Sequence, residues 1–270
     1  MADKVKKRKT RYPVIEFDRL QMYFGSPYVI DLEGVEGKVT VYSPTIGKIL
    51  DIGEQIFYSS LNIFITNTTS YRLPLWEAGQ DWNVLSDFEL FCMLISNGID
   101  ENVSKLLFGD LDWSKFSLFQ KNVGDEPKVV LYNQESNIEI NEDVYQHIAQ
   151  YLRNVFNSFP EEKITSDGTM KQWYINSDIR ERENVKTKKE KNGESETYSI
   201  QPIISACINH PGFKYRLSEL RDVGVCEFYD SVKRLQVYES STALMKGMYS
   251  GMISAKDINP NDYNFMRDIN

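Results

Sequence analysis

The chain has 270 residues, 41% of them hydrophobic and 13% aromatic, enough for one large core or two small ones. Its net charge of −8 argues against a nucleic-acid binder without a local basic patch, and no apolar run approaches the roughly 18–20 residues of a membrane span. Cys92, Cys207 and Cys226 are few, far apart and set among apolar residues, so they read as reduced buried thiols; with no signal-peptide pattern in residues 1–11, the expectation is a cytoplasmic protein.

Residues 1–11 carry Lys4, Lys6, Lys7, Arg8, Lys9 and Arg11 against Asp3, a local net of +5. They are expected to form a flexible arm that keeps the chain soluble or grips an acidic partner. Segments 20–24, 28–32 and 38–42 are rich in β-branched and aromatic residues and are punctuated by Gly25-Ser26-Pro27 and by Gly34 and Gly37, which predicts three short strands. Ser43-Pro44 then looks like a cap followed by proline in the first helical turn, opening a helix over about 44–65. Gly47 and Gly53 weaken that helix and leave room for another backbone to approach.

Asn67 to Ser70 reads as a loop, and Trp76 and Trp82 flank a turn at Gly79-Gln80-Asp81. Ser86 with Glu89 is a capping box for a helix over 87–96, and a second short helix follows at 101–108. A hairpin over 116–121 and 128–132, with Ile138 and Ile140 in a third strand, precedes a helix from Glu142 to about Asn157, capped by Asn141 and ended by Pro160. From Arg180 the run RERENVKTKKEKNGESET is almost devoid of apolar residues, so 166–198 reads as a solvated helix end and linker.

The last third holds the longest apolar stripe. Val225, Phe228, Val232, Leu235, Tyr238, Thr242 and Met245 recur at steps of three and four, one face of a helix that Gly247 and Gly251 can stop. The expected fold class is therefore α+β: a small antiparallel β portion near the N-terminus, a mainly helical remainder and a helical C-terminal domain. The expected division is a basic arm at 1–11, an α+β domain at 12–165, a charged helix end and linker at 166–198 and a helical domain at 199–270.

No residue pattern specifies a reaction. Cys207 and His210 are spaced to share a helix face, but a zinc site takes about four ligands and the only other histidine is His147. Asp81, Asp87, Glu89, Asp110 and Asp112 are close enough in sequence for paired-carboxylate chemistry; capping accounts for Asp87 and Glu89, and a turn for Asp110 and Asp112. Residues 217–236 have a helix-turn-helix flavour around Gly224, with Ser231, Lys233 and Arg234 outward. Residues 214–239 nevertheless balance five basic against five acidic side chains, where a DNA-reading element is basic. No catalytic residue, metal or cofactor is assigned. Met245, Met248, Tyr249, Met252, Tyr263, Phe265 and Met266 exceed what one helix face needs, and methionine-rich surfaces adapt to partners.

The stretches YSPTIGKILDIGEQIFYSSL, LPLWEAGQDWNVLSDFELF and DYNFMRDI, together with 199–251, resemble proteins of the virion-assembly clusters of phages infecting Gram-positive bacteria. The nearest functional label there is tail assembly chaperone. The resemblance implies a non-enzymatic protein of the host cytoplasm, or of the virion, that binds a protein partner: a tail or tape-measure protein, or copies of itself. The residues placed at that contact are Lys6, Lys7, Arg8, Lys9, Trp76, Trp82, Tyr238, Met245 and Met248. The alternatives are a structural virion component whose arm inserts into neighbouring subunits, and a nucleic-acid-binding regulator or enzyme; membranes and nucleic acid are not expected partners.

Overall fold

The computed structural model describes residues 11–32, 37–123, 126–192 and 199–268, apart from 255 and 257. Its elements run α1 (Arg19–Tyr23), β1 (Tyr28–Asp31), β2 (Lys38–Val41), α2 (Ile46–Ile52), α3 (Glu54–Ile65), α4 (Arg72–Glu77), α5 (Asp87–Ile95), α6 (Glu101–Phe108), β3 (Ser117–Val123), β4 (Glu126–Asn133), β5 (Ile138–Ile140), α7 (Glu142–Val155), α8 (Gly168–Asn192), α9 (Gln201–Ile208) and α10 (Val225–Tyr249). The class is α+β, with two small antiparallel sheets: β1 pairs with β2, and β3, β4 and β5 follow in that order.

Local chemistry explains most boundaries. Ser86 Oγ accepts from the Glu89 N–H at 3.1 Å and Glu89 Oε2 accepts from the Ser86 N–H at 2.7 Å, the reciprocal box that starts α5. Asn141 Oδ1 accepts from the Val144 N–H and starts α7. That helix closes at Asn157, which takes a left-handed φ of 49°, before Pro160 is reached.

Three expected elements differ. Residues 20–24 are not a strand: Asp18 Oδ1 accepts from the Leu20 and Gln21 N–H groups and caps α1 instead. The helix expected over 44–65 is two helices, broken at Gly53, whose φ of +102° is left-handed territory open to glycine. Its cap is Thr45, not Ser43; the Ser43 hydroxyl is buried and finds no partner among the described residues. The third difference is Gly168–Asn192, one 25-residue helix, α8, where a helix end and linker were expected.

The main core gathers on α7. Val144, Ile148, Leu152 and Val155 meet Phe57, Leu61 and Phe64 of α3, Phe88 and Phe91 of α5, and Val39 and Val41 of β2. Its aromatic centre is dense: the Phe64 ring lies 4.8 Å from Phe108 and the Phe91 ring 4.7 Å from Tyr145. The same core takes in Ile200, Leu220, Val223, Val225 and Phe228 from the last third. The seam is hydrogen-bonded: the Ile46 N–H donates to Val223 O, the Gly47 N–H to Arg221 O at 2.8 Å and the Val225 N–H to Pro44 O. A smaller cluster of Leu73, Leu75, Trp82, Leu90 and Ile175 holds the first half of α8 against α4 and α5.

Candidate functional site

All but one of the candidate acidic residues serve the fold. Asp112 Oδ1 accepts from the backbone and hydroxyl of Ser114 and caps a short 3-10 turn, which holds its carboxyl below the usual range. Asp81 bonds Asn83 and pairs with Lys171 at 2.5 Å. Asp87 is buried; it accepts from the Thr68 N–H at 3.0 Å and faces Arg153 at 3.6 Å, and burial raises its carboxyl above the ordinary aspartate range. Arg153 in turn donates to Ile65 O and Thr66 O, so the pair ties α5, α7 and the end of α3 together. Asp110 is exposed on the rim of an open groove of about 500 Å³, alongside Lys38, Lys115 and Glu135; the buried Asn133 that also lines it accepts from the Glu135 and Ser136 N–H groups through Oδ1.

The cysteine–histidine pair is likewise local. Cys207 is buried, and His210 Nδ1 accepts from the Gly212 N–H, with Nε2 3.4 Å from Glu239. Among the described residues no three histidine, cysteine or acidic side chains come together as metal ligands, and no helix is long and apolar enough to cross a membrane.

The helix-turn-helix pattern, disfavoured by its charge balance, also fails on geometry. Residues 217–223 form turns and no first helix, and Gly224 instead bridges to Thr45. Lys233 donates to Asn157 Oδ1, and Arg234 donates to Phe265 O and Arg267 O, both at 2.8 Å. The two cations that would face DNA hold the chain's own backbone and side chains.

What remains is a surface. The stripe along α10 is buried only at its start, at Val225 and Phe228; Tyr58 and Tyr229 share a hydroxyl hydrogen bond of 3.0 Å near the same end. Val232 is the last stripe residue packed against the core; beyond it the helix leaves the core, and Leu235 and Met245 are half-exposed. The segment following the helix folds back along it. Gly251, with φ +74°, ends α10; Ile253 packs so closely on Gly247 that a Cβ there would meet its Cδ1 at 2.6 Å. Ser241 Oγ donates to Asp262 O, and the Phe265 ring meets Tyr238 edge-on at 5.9 Å. The result is a two-layer arm, helix and returning tail. It leaves Tyr249 83%, Met252 86% and Met266 73% exposed.

Of the contact residues expected from sequence, Tyr238, Met245 and Met248 lie on this arm, the first exposed and the others half-buried. Trp76 is partly exposed on α4. Trp82 is fully buried, its Nε1–H donating to Lys163 O, so its ring faces the interior and not solvent. Lys6, Lys7, Arg8 and Lys9 lie outside the described residues. Tyr249, Met252 and Met266 were visible in the sequence only as part of a general methionine and aromatic enrichment. The signal for them is position: they fall at or beyond the last turn of α10, outside its apolar stripe.

Residues 187–270 match a family model described as the YomV second domain, a phage-derived family; the match contains α10 and the returning tail. No curated protein and no solved structure matches the chain.

Proposed function

We propose that the chain is a non-enzymatic phage morphogenesis protein, a tail assembly chaperone that holds a long helical partner such as a tape-measure protein. The observation that carries this reading is the arm of α10 and its tail. It offers flexible, polarisable methionines and tyrosines on a rigid helical support, the chemistry that accommodates an amphipathic helix. Four of the carboxylates that could have marked a reaction, Asp81, Asp87, Glu89 and Asp112, are engaged in capping, ion pairs and tertiary hydrogen bonds. The phage-derived family match over the same segment is in keeping with it.

A second reading, a structural virion component, is favoured by the far half of α8. Residues 180–192 carry six basic and three acidic side chains in a chain of net −8, a cationic rod able to engage an acidic neighbouring subunit.

The deciding experiment is mass spectrometry of the tagged protein recovered from producing cells, with purified particles alongside. Recovery in lysate with one long helical protein, lost on changing Tyr249, Met252 and Met266 to serine, supports the chaperone. Fixed-copy recovery in particles overturns it in favour of the virion component.

A further inference from the structure

We propose that the outer edge of β3 is a dimerisation edge, which pairs antiparallel with β3 of a second copy of this chain. The inference stands apart from the partner-binding reading of α10, because it rests on a different surface.

The sheet order leaves β3 on the outside, and among the described residues the backbone of 117–123 bonds only to β4. The strand is exposed on both faces: Leu118 is 54% and its neighbour Phe119 41% accessible, and neighbouring side chains alternate between faces. An open edge with apolar flanks is a template for another strand, and folds that avoid pairing blunt it with charge or proline. The two edges of this hairpin differ in that respect. The outer half of β4, beyond the reach of β5, carries Pro127, which has no N–H, and Lys128. Ser117 to Gln120 of β3 carry neither device; the strand's one charge, Lys121, lies opposite Lys128 in the register, so the difference between the two edges is Pro127.

That asymmetry selects the occupant. Addition of β3 to the free part of β4 on another copy would propagate into a fibre, and Pro127 opposes it. Addition of β3 to β3 closes after two copies. Charge sets the direction. Lys121 is the strand's single charged residue, so parallel in-register pairing would place it against itself. A two-fold axis at Phe119 or Gln120 sets Lys121 opposite Ser117 or Phe119 instead. The surrounding segment 115–140 holds three lysines and four carboxylates, net −1, so two copies meet there without the repulsion that −8 would impose elsewhere.

The test is light scattering across a concentration series up to about 0.5 mM, since self-association follows mass action. A concentration-dependent dimer is expected. Replacing Leu118 and Phe119 together by lysine should weaken it at least about tenfold, with unchanged circular dichroism and thermal unfolding. The exposed control Val84→Lys should leave it intact. Under mild oxidation, Phe119→Cys or Gln120→Cys should give a covalent dimer that the wild-type thiols do not. A monomer throughout the series overturns the proposal, as does a dimer indifferent to the lysine pair and to both cysteines. Capture of a foreign strand by β3, with no self-dimer, also overturns it. Serine changes at Tyr249, Met252 and Met266 should not alter the dimer, which separates this result from the chaperone test.

Discussion

At the scale of single residues, the fold depends most on Arg153 and Asp87. Both are buried, and they are not equivalent. Arg153 donates to two carbonyls and faces the carboxylate at 3.6 Å, so Arg153→Met strands Ile65 O, Thr66 O and a buried anion. A loss of about 3–5 kcal/mol is expected, read as a fall in denaturant midpoint. Asp87→Asn keeps an acceptor for the Thr68 N–H and removes one buried charge, leaving Arg153 without its counter-ion but still bonded to two carbonyls. It should cost less. The pH dependence follows from the direction of the shift. Burial raises the folded carboxyl above its unfolded value, so the folded state holds this proton more tightly. The stabilisation it brings is complete below the ordinary aspartate range and is lost as pH rises through the folded value. Stability of the wild type relative to Asp87→Asn should therefore decline as pH rises from about 4. A relative stability that rises over that window would contradict this account. The thiols follow the same logic: burial pushes Cys92 up to about 12 and Cys226 up to about 11, so the native protein should react slowly with a thiolate-selective disulfide reagent at neutral pH and fast once unfolded.

At the scale of elements, caps were legible because they are local chemistry. The Ser86–Glu89 box and the Asn141 cap need only residues three apart, and both stand as read. Asp18 was missed because the aromatic and β-branched bias of 20–32 outweighed one capping side chain. Gly47 and Gly53 looked alike in sequence and differ in the fold. A Cβ on Gly47 would lie 2.6 Å from Arg221 O, so this glycine lets α2 dock on the turn before α10; Gly53 has open space and a positive φ. Gly47→Ala should cost about 1–3 kcal/mol and disturb the seam between the two parts of the chain, measurable by thermal unfolding. The α8 helix was illegible for a different reason: a highly charged, apolar-poor run has the same composition whether it is a linker or a solvated helix. Its near half is held by contacts distant in sequence, Arg72 on Asp178 at 2.5 Å, Lys171 on Asp81 and buried Ile175, which no local pattern reveals. Hydrogen exchange should show amides near Ile175 protected and those of 184–190 exchanging rapidly.

At the scale of the whole molecule, the sequence invites a division at the charged stretch, with 12–165 and 199–270 as separate domains. The packing joins them. Ile200, Leu220, Val223, Val225 and Phe228 lie in the same core as α3 and α7, and three backbone hydrogen bonds cross from 44–47 to 221–225. The apolar stripe of α10 was legible as a helix, but its two fates were not: one end closes this core and the other carries the exposed arm. Which end does which depends on where Pro44 to Gly47 meet Arg221 to Val225, a long-range fact. The arrangement makes a claim about cooperativity. If one core holds both parts, unfolding of the intact chain is a single transition that far- and near-ultraviolet dichroism report at the same midpoint. Removing 199–270 would take Ile200, Leu220, Val223, Val225 and Phe228 out of the core and leave the seam donors of Ile46 and Gly47 without acceptors, so the shortened chain should lose the sharp transition and bind a hydrophobic dye. A cut after residue 250 should do neither, because it removes only the returning tail and leaves Val225 and Phe228 in place. Two separable transitions in the intact chain would mean instead that the seam is a docking contact between independent domains, and that α10 can leave the core when its partner binds.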